Sequence, residues 1–272
     1  MIFNIFIASY IYSGERLFLF VGAASKPPTE EIVKLFEEKT GIEVDVTFGG
    51  SGYVLSQMIF SQTGDIYFPG SSDYMEKAKR EGYVFPETEK IVVYLVPAIN
   101  VQKGNPKQIK GLKDLIRDDI KVAIANPEGV CVGVYAVELI EKWFSPEEKR
   151  KFRENILNYT ASCDNTAAAI SLRTVDAVIG WSVFQHWDEK RIETIPLKNA
   201  EIIRVGYIPI AISKFTKNKD LAMKFIDFII SEEARAVFKK RHYFTSKKDI
   251  FEQVGSKPVG GEYLVPHEWV QK

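Results

Sequence analysis

Apolar positions along this chain switch repeatedly between a period of two and a period near 3.6, the marks of strands and helices in alternation. The run RLFLFVG at 16–22 is apolar almost throughout, as a buried strand is. Ile32, Val33, Leu35 and Phe36 then share a helical face, and Gly41 follows where a left-handed stop is favoured. Residues 42–48 alternate like a second strand. Residues 54–60 predict a helix, 65–68 a short strand, and 71–82 a helix that opens on Ser or Asp and stops at Gly82. A long extended run at 90–106 is broken by Pro97. A short helix at GLKDLIRDD and a strand at KVAIANP come next. In 132–144, Val132, Tyr135, Ala136, Leu139, Ile140 and Trp143 line one helical face, with Glu138 four positions before Lys142. SPEEKRKFREN predicts a capped, charged helix, 166–172 a further helix, and 176–181 a strand. A second extended run at 201–213 contains Pro209. From Asn218 onward, Leu221, Phe225, Phe228, Ile229 and Val237 recur at helical spacing and predict one long helix. The Gly-, Pro- and Lys-rich tail at 239–272 is expected to wrap a surface.

This alternation is that of an α/β protein. The two extended runs divide it in three. If both are crossover strands, the outer parts form one lobe and the middle part another, with a cleft that closes by a hinge. The expected boundaries are 1–15 for a signal or N-terminal extension, 16–96 for the first part of lobe 1, 97–206 for lobe 2, and 207–272 for the return of lobe 1. The 272 residues are enough for either one large domain or two modest lobes.

Composition narrows the function. Lys plus Arg equals Asp plus Glu, 36 each, so no net field draws a nucleic acid or an anion. Two cysteines, Cys131 and Cys163, do not match zinc or haem spacing, and the three histidines are not at metal-ligand spacing. No cofactor and no metal held by side chains is expected. Residues 2–12 are mostly apolar but too short to span a bilayer, and small residues follow. That is the outline of a signal peptide without its basic start, or of a plain extension.

Four loops precede helices. GAASKPPTEE places Ser25 at a strand end before prolines suited to a first helical turn. FGGSG sets Gly50 and Ser51 among glycines. NPEGVCVGVYA leads through Cys131 and Val132 into the amphipathic helix, and SCDNTAAAIS offers Asp164 or Asn165 as a cap. Each has an ordinary structural explanation, a cap or a tight turn. Together they suggest one site of several helix N-termini, where free N–H groups and the positive end of the macrodipole face an anion. Glycines let the backbone approach an oxygen, and Ser51 brings both an N–H and an O–H.

These loops, with DAVIGW and FIDFIISEEARAVF, resemble the periplasmic molybdate/tungstate-binding proteins of ABC transporters, in order and spacing over about 16–244. The resemblance implies a type II periplasmic-binding fold, two α/β lobes joined by two crossover strands with an oxyanion in the cleft. It implies Ser25 and Ser51 as ligand serines, Val132 as a backbone N–H donor, and a helix-start donor at Asp164 or Asn165. Trp181 stands where many members place a tyrosine; it is a ligand contact or a cleft-wall aromatic. Gly50 and Cys131 are secondary candidates. If the third and fourth loops converge, Cys131 and Cys163 form a disulfide or stay two buried thiols. Lys26 sits in the cleft or solvated at its rim.

Donor-only sites suit molybdate, tungstate and sulfate, which carry no proton near neutral pH; phosphate needs an acceptor, a role an inward Asp164 would fill. The expectation is therefore an extracytoplasmic, monomeric binding protein that delivers molybdate or tungstate to an ABC permease. Another oxyanion binder is the alternative, and an enzyme on the same fold a second. No Ser–His–Asp or Cys–His order supports the enzyme, and no arginine for a substrate carboxylate sits in the loops, although Arg173 is near one.

Overall fold

The computed structural model describes residues 15–270, so the apolar stretch read as a signal or extension lies outside the described residues. The chain runs β1 (Arg16–Gly22), α1 (Lys26–Thr40), β2 (Glu43–Gly49), α2 (Ser51–Ser61), β3 (Ile66–Phe68), α3 (Ser72–Arg80), β4 (Lys90–Leu95) and β5 (Pro97–Gln102). It continues through β6 (Val122–Ala125), α4 (Cys131–Trp143), α5 (Pro146–Glu154), β7 (Ile156–Thr160), α6 (Cys163–Ser171), β8 (Ala177–Trp181) and β9 (Ile192–Pro196). It then returns through β10 (Gly206–Ile212), α7 (Lys219–Ile229), α8 (Glu232–Lys240) and α9 (Lys247–Val254).

Two mixed sheets result, ordered β2-β1-β3-β10-β4 and β7-β6-β8-β5-β9, and each organises its own α/β lobe. In the first, β1 is parallel to β2 and β3, and β10 is antiparallel to β3 and β4. In the second, β6 is parallel to β7 and β8, and β5 is antiparallel to β8 and β9. The long parallel strands are Val-, Ile- and Phe-rich because helices cover them. α1 and α7, for instance, meet through Phe36 and Phe225, ring centroids 5.1 Å apart.

The crossovers are unlike. β4 passes into β5 across Val96 alone. In the return, only the part from Gly206 is strand, not the whole of 201–213. Residues before it bond the tail instead: Val205 N–H donates to Pro258 O (3.0 Å), and Gly260 N–H donates to Val205 O (2.9 Å). The expected single long helix is two, because Ser231 caps a new one by accepting the Ala234 N–H. The helix expected at 166–172 begins at Cys163 instead, capped by Ser162. The tail does wrap the surface, but it also folds α9.

Arg204, in the second crossover, is 5% exposed. Its guanidinium donates to Asp73 of α3 (2.8 and 3.2 Å), to Glu138 of α4 (2.7 Å) and to Gly261 O in the tail (3.0 Å), and it lies 4.0 Å over the Tyr135 ring. Burial pulls its pKa down, but facing Tyr135 and Asp73 more than restore it, so the group stays charged. Burial pushes the Glu138 carboxyl up even with Arg204 beside it. Removing one partner from such a set leaves charge without solvent. Arg204→Ala is therefore expected to cost about 3–5 kcal/mol of stability, read as a lowered urea midpoint; a midpoint within error of the parent would contradict this arrangement.

Candidate functional site

In the first lobe the candidate residues sit at the carboxyl ends of β1, β2 and β3. Ser51 is the first residue of α2, with Gly50 as its extended N-cap. Its Oγ accepts the Gly70 N–H at 2.9 Å, and its carbonyl accepts the Tyr67 hydroxyl at 2.9 Å. Ser25 ends a short 3-10 turn, and its Oγ accepts from the Thr29 hydroxyl at 3.1 Å. Both serines are buried. In each, a protein donor already occupies an oxygen lone pair, so the serine proton is left to donate elsewhere. Gly22 must be glycine for this packing, since a Cβ there would lie 2.4 Å from Gly70 N and 2.7 Å from Ser51 Oγ.

The second lobe brings the starts of α4 and α6 to the same place. Cys131 and Cys163 do converge, with sulfurs 3.6 Å apart, but as free buried thiols rather than a disulfide. Burial pushes the Cys163 thiol well up, and the Cys131 contact adds to this, while the Val132 N–H pulls the other way. The thiol thus stays neutral and adds no negative charge beside the helix starts. Asp164 is turned to its neighbours: one oxygen accepts from the Ser162 hydroxyl and the other lies 3.3 Å from Lys26 Nζ. Lys26 is thus at neither a deep nor a free position but in a half-exposed pair across the lobes, a geometry that contributes little stability.

Asn165 does not fit its expected part. It is exposed, and its N–H donates to the Ser162 Oγ that caps α6 (3.2 Å). Ser162, not Asp164 or Asn165, is the cap. The helix starts earlier than its apolar period suggests because Cys163 and Thr166 pack inward.

Gly70 marks where the loops meet. A Cβ added to it would stand 2.7 Å from Ala24 Cβ, 3.5 Å from Ser51 Oγ and 2.6 Å from Cys131 Sγ, which joins three of the four loops around one Cα. Cys131 reaches the fourth through Cys163. The lobes touch directly here: Gly52 N–H donates to Gly129 O (2.9 Å), the Tyr74 hydroxyl to Pro127 O (3.0 Å), and Asn126 Nδ2 to the Tyr53 hydroxyl (2.9 Å). The glycines of FGGSG therefore have a second use, letting the lobes shut.

Trp181, at the end of β8, is fully buried, and its Nε1–H finds no partner among the described residues. Its ring meets Tyr135 edge-on, centroids 4.8 Å apart, and the Tyr135 hydroxyl is also unpartnered. Tyr135 was legible only as a core position of its helix. Gly70, Tyr67 and Tyr74 were missed as well. The only trace was the FPGSSD turn, which reads as a helix start; what Gly70 N–H holds is set by a residue 19 positions earlier.

Comparison with known proteins places this geometry among transport proteins. The profile described as "Bacterial extracellular solute-binding protein" matches residues 17–244. A putative binding protein of Haemophilus influenzae is 27% identical over 138 residues, a match spanning about half of each chain, 51% of this one and 56% of the relative. The molybdate-binding protein ModA of Rhodobacter capsulatus is 25% identical over 231 residues, 83% of this chain and 86% of that one. The solved sulfate-binding protein of Mycobacterium tuberculosis superposes with a TM-score of 0.75 at 14% identity, over 90% of this chain and 93% of its own, and shares the two-lobed fold.

Gly50 gives a direct check on closure. A Cβ there would lie 2.6 Å from Gly129 O and 2.7 Å from Ala161 O, both backbone atoms of the other lobe. Gly50→Ala should raise the closed form by about 1–3 kcal/mol, the usual cost of overfilling a packed contact. Small-angle scattering should then show a larger radius of gyration than the parent; an equally closed variant would speak against this contact.

Proposed function

The chain belongs to the bacterial extracellular solute-binding proteins, a non-catalytic transport family of the periplasm or cell exterior related to molybdate- and sulfate-binding proteins, and from that membership we propose that it captures molybdate or tungstate for an ABC permease. The observation that carries this is the donor character of the cleft. Ser25 and Ser51 have accepting lone pairs engaged and protons to give. The starts of α2, α4 and α6 meet at one junction, where their positive dipole ends gather. No net charge is needed, because several neutral donors can replace the water shell of a dianion.

Asp164 weighs against phosphate in this reading because its carboxylate is turned to Ser162 and Lys26, although about two of its four acceptor positions stay open. Ser25, Ser51 and the N–H groups of Cys163 and Asp164 form the proposed contact set, joined by the Val132 N–H as it turns from the Cys163 sulfur to the anion, with Gly50 shaping the approach. Asn165 is left out, its N–H being taken by the cap. Trp181 joins as an N–H donor in search of an acceptor. In this reading the protein acts as a monomer, and lobe 1 closes on lobe 2 with no covalent step. Sulfate is the second reading: it is a bare dianion that the same donors suit, and relatives that bind it share the fold. Only cavity size separates the two.

Calorimetric titration of the full chain tests the choice. Molybdate and tungstate should bind with submicromolar affinity and phosphate not measurably. Sulfate binding as tight as molybdate would move the assignment to the second reading, and phosphate binding alone would end both. Ser51→Ala should weaken molybdate by about 1.5–3 kcal/mol, the cost of a lost bond to a charged group; an unchanged affinity would remove Ser51 from the set.

A further inference from the structure

Beside the first crossover, where His186 and His242 line one cavity with Val96 and Pro97, the fold brings a residue of the first lobe to two of the second. His186 lies in the 3-10 turn Ser182–Trp187 after β8, in the second lobe. Glu189 follows three positions later, and its Oε1 is 3.0 Å from His186 Nδ1. His242 follows α8 on the first lobe's side, 56 residues further along. Its ring stacks on His186 with centroids 3.5 Å apart and planes 14° from parallel. His242 holds φ at +64°, a left-handed conformation uncommon outside glycine, and that backbone setting presents its imidazole to the other lobe.

One ligand atom from each of the three lies within 4.8 Å of the others. We propose that His186, Glu189 and His242 form a binding site for a zinc-class divalent transition-metal ion, with one ligand supplied by the first lobe and two by the second.

The chemistry fits that class. Two imidazoles and one carboxylate are an ordinary zinc donor set, and the fourth position is left to water. Ligands each about 2.0–2.1 Å from a tetrahedral zinc stand a little over 3 Å from one another. The His186–Glu189 pair is already at that separation. The stack must open as well: each imidazole lone pair lies in its ring plane, so rings 14° from parallel face one ion only after the exposed His242 side chain turns, closing a gap of roughly 1.5 Å. With the metal on Nδ1, the His186 Nε2–H needs an acceptor. Gln185, whose amide nitrogen is now 3.1 Å from Nε2, supplies one only by turning its amide and giving up the Thr194 N–H that its Oε1 now accepts; otherwise water takes that role. Lys103 lines the same space and is a charge that the metal must tolerate. The site also opens on a cavity of about 490 Å³ that His186 and His242 help to line between the crossovers and α9. A metal there would tie the two lobes at a second point, next to the Ala24–Ser25 loop that the neighbouring Tyr243 holds through its hydroxyl bond to Ala24 O.

The full chain, treated with EDTA and dialysed, should take up one zinc per molecule in a calorimetric titration. His186→Ala and His242→Ala should each weaken zinc by at least about tenfold, with Glu189→Gln weakened too. Cobalt(II) should give the visible absorption of a tetrahedral histidine site in the parent and not in the double histidine variant. Molybdate titrations of the same variants in EDTA should match the parent, which separates this site from the cleft and reports on folding. Glu189→Gln removes only a charge from an exposed residue, so it keeps the test open if a histidine variant fails to fold. Absence of saturable zinc uptake by the parent, or uptake that survives loss of both histidines, would overturn the assignment.

Discussion

Arg204 is a cation with almost no access to water, and both lobes are arranged around it. A buried guanidinium is tolerated only where acceptors fill its donor directions. Here Asp73 comes from one lobe, Glu138 from the other, and Gly261 from the tail. That single requirement explains why the second crossover is not a continuous strand, since its backbone has to pair with the tail to bring all three acceptors in. It also fixes α3 against α4, and so sets how the loops at the starts of those helices face one another.

The cleft inherits this geometry. Two sets of parallel strands end at the junction of the lobes, and helices start from those ends, so unpaired N–H groups gather there without any cationic side chain in the middle. Small residues let the arrangement close. At Gly22 and Gly50 a single methyl group would collide with backbone, and at Gly70 with the Cys131 sulfur and the Ala24 methyl. Among the described residues, the cross-lobe ion pair at this mouth, Lys26 with Asp164, is half-exposed. Its main consequence is electrostatic bookkeeping at the rim, where it cancels the carboxylate charge that would repel an anion. The buried Cys163 thiol, in contact with Cys131 and pushed up by burial, adds no negative charge to the second lobe's helix starts.

Several particulars were legible from the chain alone, and others were hidden for a definite reason. Ser51 after two glycines, Ser25 before two prolines, and Val132 at the head of an amphipathic helix are local signals. The elements they start do form, although α2 begins at Ser51, three residues before the start its apolar pattern suggests. Asn165 was misplaced because α6 begins before its apolar period is visible, with Ser162 taking the cap. The helix pair α7 and α8 read as one because Ser231 is a weak mark inside a strong helical period. Histidine spacing argued against a metal site, yet the fold stacks His186 on His242.

The sequence by itself determined the alternation of strands and helices and which helix starts carry glycine and serine. Those properties depend on neighbours within a turn or two, so the chain states them directly. Tertiary structure decided which donors were spent inside the protein and which were left free, where Arg204 found its counter-charges, and that two cysteines would touch without bonding. Each of these depends on distances between residues far apart in the chain, set by how two lobes pack, and no local pattern encodes such distances.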